Sequence, residues 1–279
     1  MTSPSLVVLT DFYAVTNRAL SYAAGLAVPL QAHLVLLHVR HDELLSPEHR
    51  AGDAASPQRT RQALSALADE QPVPTQVDIE EGYLPVAVAE AVRHHRPRLV
   101  VLGRPDAATT PTEVVVGAAL DVLRYAPCPL LLVPYLGWDT FPPRRLALAV
   151  DGQPFSLYED QHLVPELLGA LDATFSIVHV VCEPAPAAEA EPKAETTQKV
   201  LREVQRSGVA TLAADTRPLL IYHASPVDGI LQGAAEAKAD LLVLVARPHH
   251  LLSGLFHHSV TAQLIAQSPI PLLLLPSLE

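Results

Sequence analysis

Short, unbroken apolar runs alternate along this chain with stretches whose apolar residues recur every three or four positions. The runs at 99–102 and 241–245 show no polar alternation, which predicts parallel strands covered on both faces. Leu20, Ala23, Ala24 and Ala27 fall at i, i+3, i+4 and i+7, as do Val164, Leu167, Leu168 and Leu171. Val227, Ile230, Leu231 and Ala234 repeat the spacing. Each set predicts an amphipathic helix laid on a sheet. Strand and helix signals in alternation predict an α/β fold with a doubly wound parallel sheet.

The pattern occurs twice. Leu6-Val7-Val8-Leu9-Thr10-Asp11 is echoed by Leu146-Ala147-Leu148-Ala149-Val150-Asp151, and Leu36-Leu37-His38-Val39 by Ile177-Val178-His179-Val180. Gly82-x-Leu84-Pro85-Val86 returns as His223-x-Ser225-Pro226-Val227. The run at 99–102 with Gly103-Arg104-Pro105 returns at 242–245 with Ala246-Arg247-Pro248. Ala126-Pro127-Cys128-Pro129 and its strand return as Ser268-Pro269-Ile270-Pro271. The five blocks keep their order and are displaced by 140 to 143 residues, so the chain is two copies of one unit with about five strands each. The breaks at 135–145 place a linker between units at 1–137 and 144–279, with Trp138 expected to fasten the two together. Segments 43–58 and 183–199, rich in Ala, Pro and Glu, read as solvated surface. The second is expected to merge into a helix near 197–206.

Composition narrows the function. With 49% apolar and 18% charged residues, each half has the material for its own core. The net charge of −11, from 30 acidic and 19 basic residues, opposes non-specific attraction to nucleic acid or to an anionic membrane. The longest apolar runs, such as 129–135, have the length of a strand, so no membrane span is expected. The first residues lead straight into a strand, so no signal peptide and a cytoplasmic location are expected. Cys128 and Cys182 both lie in or beside apolar strand sequence and are expected to be buried free thiols.

Three groups of residues together resemble the universal stress protein family. They are the opening strand with Thr10-Asp11-Phe12, the Leu-Leu-His-Val ending of the second strand, and Val-Val-Leu-Gly followed by a loop, a helix and Ala-Pro-Cys-Pro. The resemblance covers nearly all of both halves. It implies two tandem five-stranded units, akin also to adenine nucleotide alpha hydrolases, forming an intrachain pseudo-dimer by packing of the last strands, 130–133 and 272–275. In doubly wound sheets a ligand binds beyond the carboxyl ends of the strands where their order reverses. That crevice would be framed by Thr10, Asp11, Val39 and the loop after Gly103 in the first unit. Asp151, Val180 and the loop after Ala246 frame it in the second. The resemblance further implies that nucleotide-binding relatives hold adenosine with the aspartate ending the first strand and with backbone groups after the second. Phosphates would rest on Gly-x2-Gly-x9-Gly-Ser/Thr after the fourth.

Both copies depart from that phosphate loop. In the first, Asp106 stands where the second glycine belongs, and Gly117 comes one position late and is followed by Ala118, without a hydroxyl. In the second, Ala246, His249 and His258 replace the glycines and Ser259 alone survives. Side chains there obstruct the close approach of backbone to phosphate. Of the histidine pairs, His94–His95, His249–His250 and His257–His258, none presents convergent metal ligands, because neighbours at i and i+1 diverge. His249 with His257 or His258 is the one set whose members could face each other across the second-unit loop, where they would contact an anion or ligand or, as the lesser alternative, a metal. His38 and His179 are expected to cap strand ends. No nucleophile elbow, metal-ligand run or complete phosphate loop occurs, so no catalytic or metal residue is assigned.

The expected function is a stress-response binding or regulatory module that needs no cofactor. It pairs its units within the chain, acts on an unidentified protein partner, and leaves open a further homodimer. The alternative is that the first unit holds ATP or AMP, with at most slow hydrolysis.

Overall fold

The computed structural model describes residues 3–10, 14–40, 57–106, 110–136, 141–158, 162–182, 194–211, 216–247 and 259–278. Contacts divide the chain into two units, Met1–Gly137 and Trp138–Glu279. Trp138, His249, His250, His257 and His258 lie outside the described residues, as does Asp11.

The first unit runs β1 (Ser5–Thr10), α1 (Ala14–Leu30), β2 (His33–Arg40), α2 (Pro57–Asp69), β3 (Thr75–Glu81), α3 (Leu84–His95), β4 (Leu99–Arg104), α4 (Thr112–Tyr125) and β5 (Leu130–Pro134). Its strands are all parallel in the order β3-β2-β1-β4-β5. The order therefore reverses between β1 and β4, where Val7 sits opposite Val35 on one side and Val100 on the other. Leu6 to Leu9 and Leu99 to Leu102 are buried without alternation, as strands sheathed on both faces should be. Leu20, Ala23, Ala24 and Ala27 form the buried stripe of α1. Cys128 is buried as well.

The second unit repeats the plan with β6 (Arg145–Val150), α5 (Leu163–Leu171), β7 (Thr174–Val181), α6 (Ala194–Ser207), β8 (Leu219–Tyr222), α7 (Pro226–Glu236), β9 (Leu241–Ala246), α8 (Val260–Gln267) and β10 (Leu272–Pro276). Its order is β8-β7-β6-β9-β10, again parallel throughout. Helix α6 starts a few residues before the expected 197, because Ala194 and Glu195 are good helix formers and acidic residues suit a first turn.

Two local devices fix the second unit. Asp240, just before β9, accepts the amides of Arg144 and Arg145 at 3.0 and 3.1 Å and the Arg145 guanidinium at 2.6 and 3.2 Å. Burial alone would raise this carboxyl. The hydrogen bonds from Arg145 and the two amides outweigh it and hold the group below the ordinary aspartate value. On α7, Gly229 and Gly233 let the helix lie directly on β7. A Cβ at Gly229 would stand 2.7 Å from Val180 Cγ1, and one at Gly233 would collide with Val178.

Candidate functional site

The same histidine contact ties the first two strands together at their carboxyl ends in both units. His38 Nδ1 donates to the Thr10 carbonyl at 3.0 Å, and His179 Nδ1 donates to the Val150 carbonyl at 2.9 Å. Each ring fastens one strand end to its neighbour, so neither is placed as a free base, in line with the capping role expected of them. The Thr10 hydroxyl donates to the Leu37 carbonyl at 3.2 Å, and Thr10 is buried. That hydroxyl is engaged by the sheet. Gly152, next after Asp151, adopts φ +72° beneath the His179 ring, where a Cβ would come within 3.2 Å of Cε1. Glycine is the residue that satisfies both demands.

In the second unit the carboxyl ends of β6, β7 and β9 wall a cavity of about 320 Å³. Val150, Val180 and Leu244 line it from the sheet, and Ile230 of α7 and Val260 of α8 from the helices. This is the switch point at which β6 neighbours β9, where the fold predicts a ligand. Asp151 stands at the rim with a partner already in place. Arg247 Nε and Nη2 grip its two oxygens at 3.1 and 3.0 Å, in the bidentate form that suits a guanidinium and a carboxylate. Nη1 donates to the Pro154 carbonyl at 2.8 Å and Nη2 to the Gln153 carbonyl at 3.2 Å. The Gln153 amide closes the turn onto Asp151 Oδ1 at 2.9 Å. The arginine side chain is 15% exposed against 54% for the aspartate, so the guanidinium lies beneath the carboxylate rather than waving over it.

Ser259 caps α8, its hydroxyl accepting the Ala262 amide at 3.1 Å. Cys182 is exposed, correcting the expectation of a buried thiol. Strand β7 ends at Val181, so the thiol lies one residue beyond the sheet and on the cavity wall.

In the first unit Val39 pairs with Glu80 near the end of β2, and Gly103 is buried in β4 opposite Val133. Asp106 is exposed, its carbonyl accepting the Thr110 amide at 3.1 Å. Gly117 lies inside α4, which starts at Thr112, so its amide belongs to a helix rather than to an open loop. Ala118 is buried there at 3% exposure. Arg104, the last residue of β4, is the counterpart of Arg247 in the repeat, and burial lowers its guanidinium from the ordinary arginine value. His95 Nε2 is bonded to Asp78 Oδ2 at 2.8 Å and packs edge-on against His94. Among the described residues no cluster has metal-ligand form.

The sequence model of the universal stress protein family matches residues 4–134 and again 143–276. The chain belongs to this family. A universal stress protein encoded beside a sulfhydrylase in Thermus aquaticus is 31% identical over 106 residues, 37% of this chain and 77% of that protein. Among solved structures, a universal stress protein from Archaeoglobus fulgidus superposes with a TM-score of 0.68 at 14% identity, covering 99% of this chain and 97% of that one. A Pseudomonas aeruginosa protein described as a putative universal stress protein gives 0.54 at 18% identity, with 99% and 93% covered.

Within this universal stress protein, sequence reasoning passed over Arg247. Its signal was present. An aspartate ends the first strand of each copy, Arg-Pro follows the fourth, and those strands are neighbours whenever the order reverses between them. His249 and His258 fall outside the described residues; of the other expected second-unit residues, Asp151 and Val180 line the cavity, and Ser259 caps the helix whose next residues, Val260 and Thr261, line it.

Proposed function

We propose that this tandem universal stress protein is a stress-response binding or regulatory module, cytoplasmic, whose crevices do not take ATP and whose units pair within the chain. The observation that carries the reading is the Asp151–Arg247 pair. The carboxylate that would orient a ribose is already satisfied on both oxygens, and a nucleoside would have to displace a guanidinium that also holds two backbone carbonyls. Supporting it in the first unit, α4 extends to Thr112 and draws Gly117 and Ala118 into a helix. Pairing within the chain is supported by two consecutive family matches. It is assigned to 130–133 and 272–275, whose strands end their own sheets beyond β4 and β9.

Titration calorimetry of the full chain with ATP, AMP and cyclic AMP tests the reading. Dissociation constants weaker than about 100 μM, about −5.5 kcal/mol, are expected for all three. ATP bound at about 10 μM or tighter would sink it and favour the alternative of a nucleotide-binding first unit.

A further inference from the structure

We propose that the cavity of the second unit binds a small, uncharged, largely apolar molecule of about two fused rings carrying one hydrogen-bonding group, which pairs with Thr261. The inference deepens the reading given above, and rests on it: the crevice is closed to nucleotides but not filled. At about 320 Å³ the space lies at the lower end of the range for ligand sites, and is roughly twice a cavity known to hold one benzene. Val150, Val180, Ile230, Leu244 and Val260 make the walls apolar. The charges at the rim, Asp151 and Arg247, neutralise each other, so a charged ligand would be desolvated without gaining a counter-ion.

Thr261 gives this space its one directional feature. It lines the cavity at 7% exposure, and among the described residues its hydroxyl has no hydrogen-bond partner. Nor is that hydroxyl sealed inside protein, which leaves the cavity as what it faces. A ligand that excludes water from this hydroxyl must donate to it or accept from it, since otherwise the group is left buried and unsatisfied. Close seating of α7 through Gly229 and Gly233 sets the wall at Val180 before a ligand arrives.

The probe is 2-naphthol, with 2-naphthalenesulfonate as its charged congener, added to the full chain. Cys182 supplies a second readout, because it is exposed on the cavity wall while Cys128 is buried. We expect saturable binding near about 100 μM, protection of Cys182 from iodoacetamide, and at least about tenfold weaker binding of the sulfonate. Thr261→Val, nearly the same in shape, should weaken 2-naphthol about fivefold, the worth of one hydrogen bond. Val260→Trp should abolish binding by filling the space. Should that variant misfold by circular dichroism, Thr261→Val and Cys182 protection still decide. Absence of saturation below about 1 mM, equal binding of the sulfonate, or an unaltered Thr261→Val overturns the proposal. ATP binding to the wild type would instead overturn the reading it rests on, whatever 2-naphthol does. Failure of 2-naphthol with ATP also absent would leave that reading standing.

Discussion

At the scale of the residue, Arg247 and Asp240 are the two polar centres with the most partners described in the second unit, and they do different work. Arg247 has five N–H donors, and its contacts to Asp151, Gln153 and Pro154 join the end of β9 to the turn after β6. Arg247→Gln should lower the midpoint of thermal unfolding by a few degrees, for a loss of about 1–2 kcal/mol, and should raise the affinity for adenosine by freeing Asp151. A variant as stable as wild type, or one indifferent to adenosine in calorimetry, would contradict the role given to the pair. Asp240 is a matter of pH. Its carboxyl is held below the ordinary value, so the stability it contributes is fully present above about pH 4, where an unfolded aspartate is ionised. That contribution is lost as the pH falls through the lower folded value. Asp240→Asn should therefore cost about 2 kcal/mol at neutral pH, and the gap from wild type should close in acid. Denaturation followed from about pH 7 to about pH 2.5 checks the trend.

At the scale of the element, most strands and the three helices with clear spacing were legible, because an unbroken apolar run or a stripe at i, i+3, i+4 is compatible with few alternative structures. The start of α4 was not. Val114, Val115, Val116 and Gly117 are all poor helix formers, yet Val115 and Val116 are 2% and 5% exposed, and their burial against the sheet outweighs local preference. Reading Gly117 as a loop glycine followed from the spacing of the family's phosphate loop, which carries no information on where the helix begins. The aspartate at the end of β6 was legible as a position, whereas its pairing with Arg247 depends on strand adjacency, a property of the folded sheet. Helix α7 carries a sharper prediction. Gly233→Ala would push a methyl group into Val178 and should destabilise the second unit by about 1–3 kcal/mol, although alanine favours helix elsewhere. Gly169→Ala on α5, where a Cβ would meet open space, should be neutral or stabilising. Urea unfolding of the pair separates packing from propensity.

At the scale of the whole molecule, the tandem organisation was the plainest message of the chain, since five blocks repeat in order. Residues 1–137 and 144–279, produced separately, should each show α/β circular dichroism, because each of the two units has a complete five-stranded sheet and its own buried helices. Each should self-associate in sedimentation, since an apolar edge strand seeks a partner. A half that stays unfolded alone would show that the units do not carry independent cores.

The Arg247 clamp bears on what the second unit can report to a cell. A side chain tethered a few ångströms from its acceptor acts at a very high effective concentration, commonly millimolar or more. A diffusing competitor for the same carboxylate is measured against that standing supply, so fluctuations in a micromolar metabolite hardly alter occupancy. A sensor needs a vacancy that the signal can fill. On the reading proposed above, the chain answers its own question at Asp151 in advance, and information about a changing pool of adenylates would have to enter by another route.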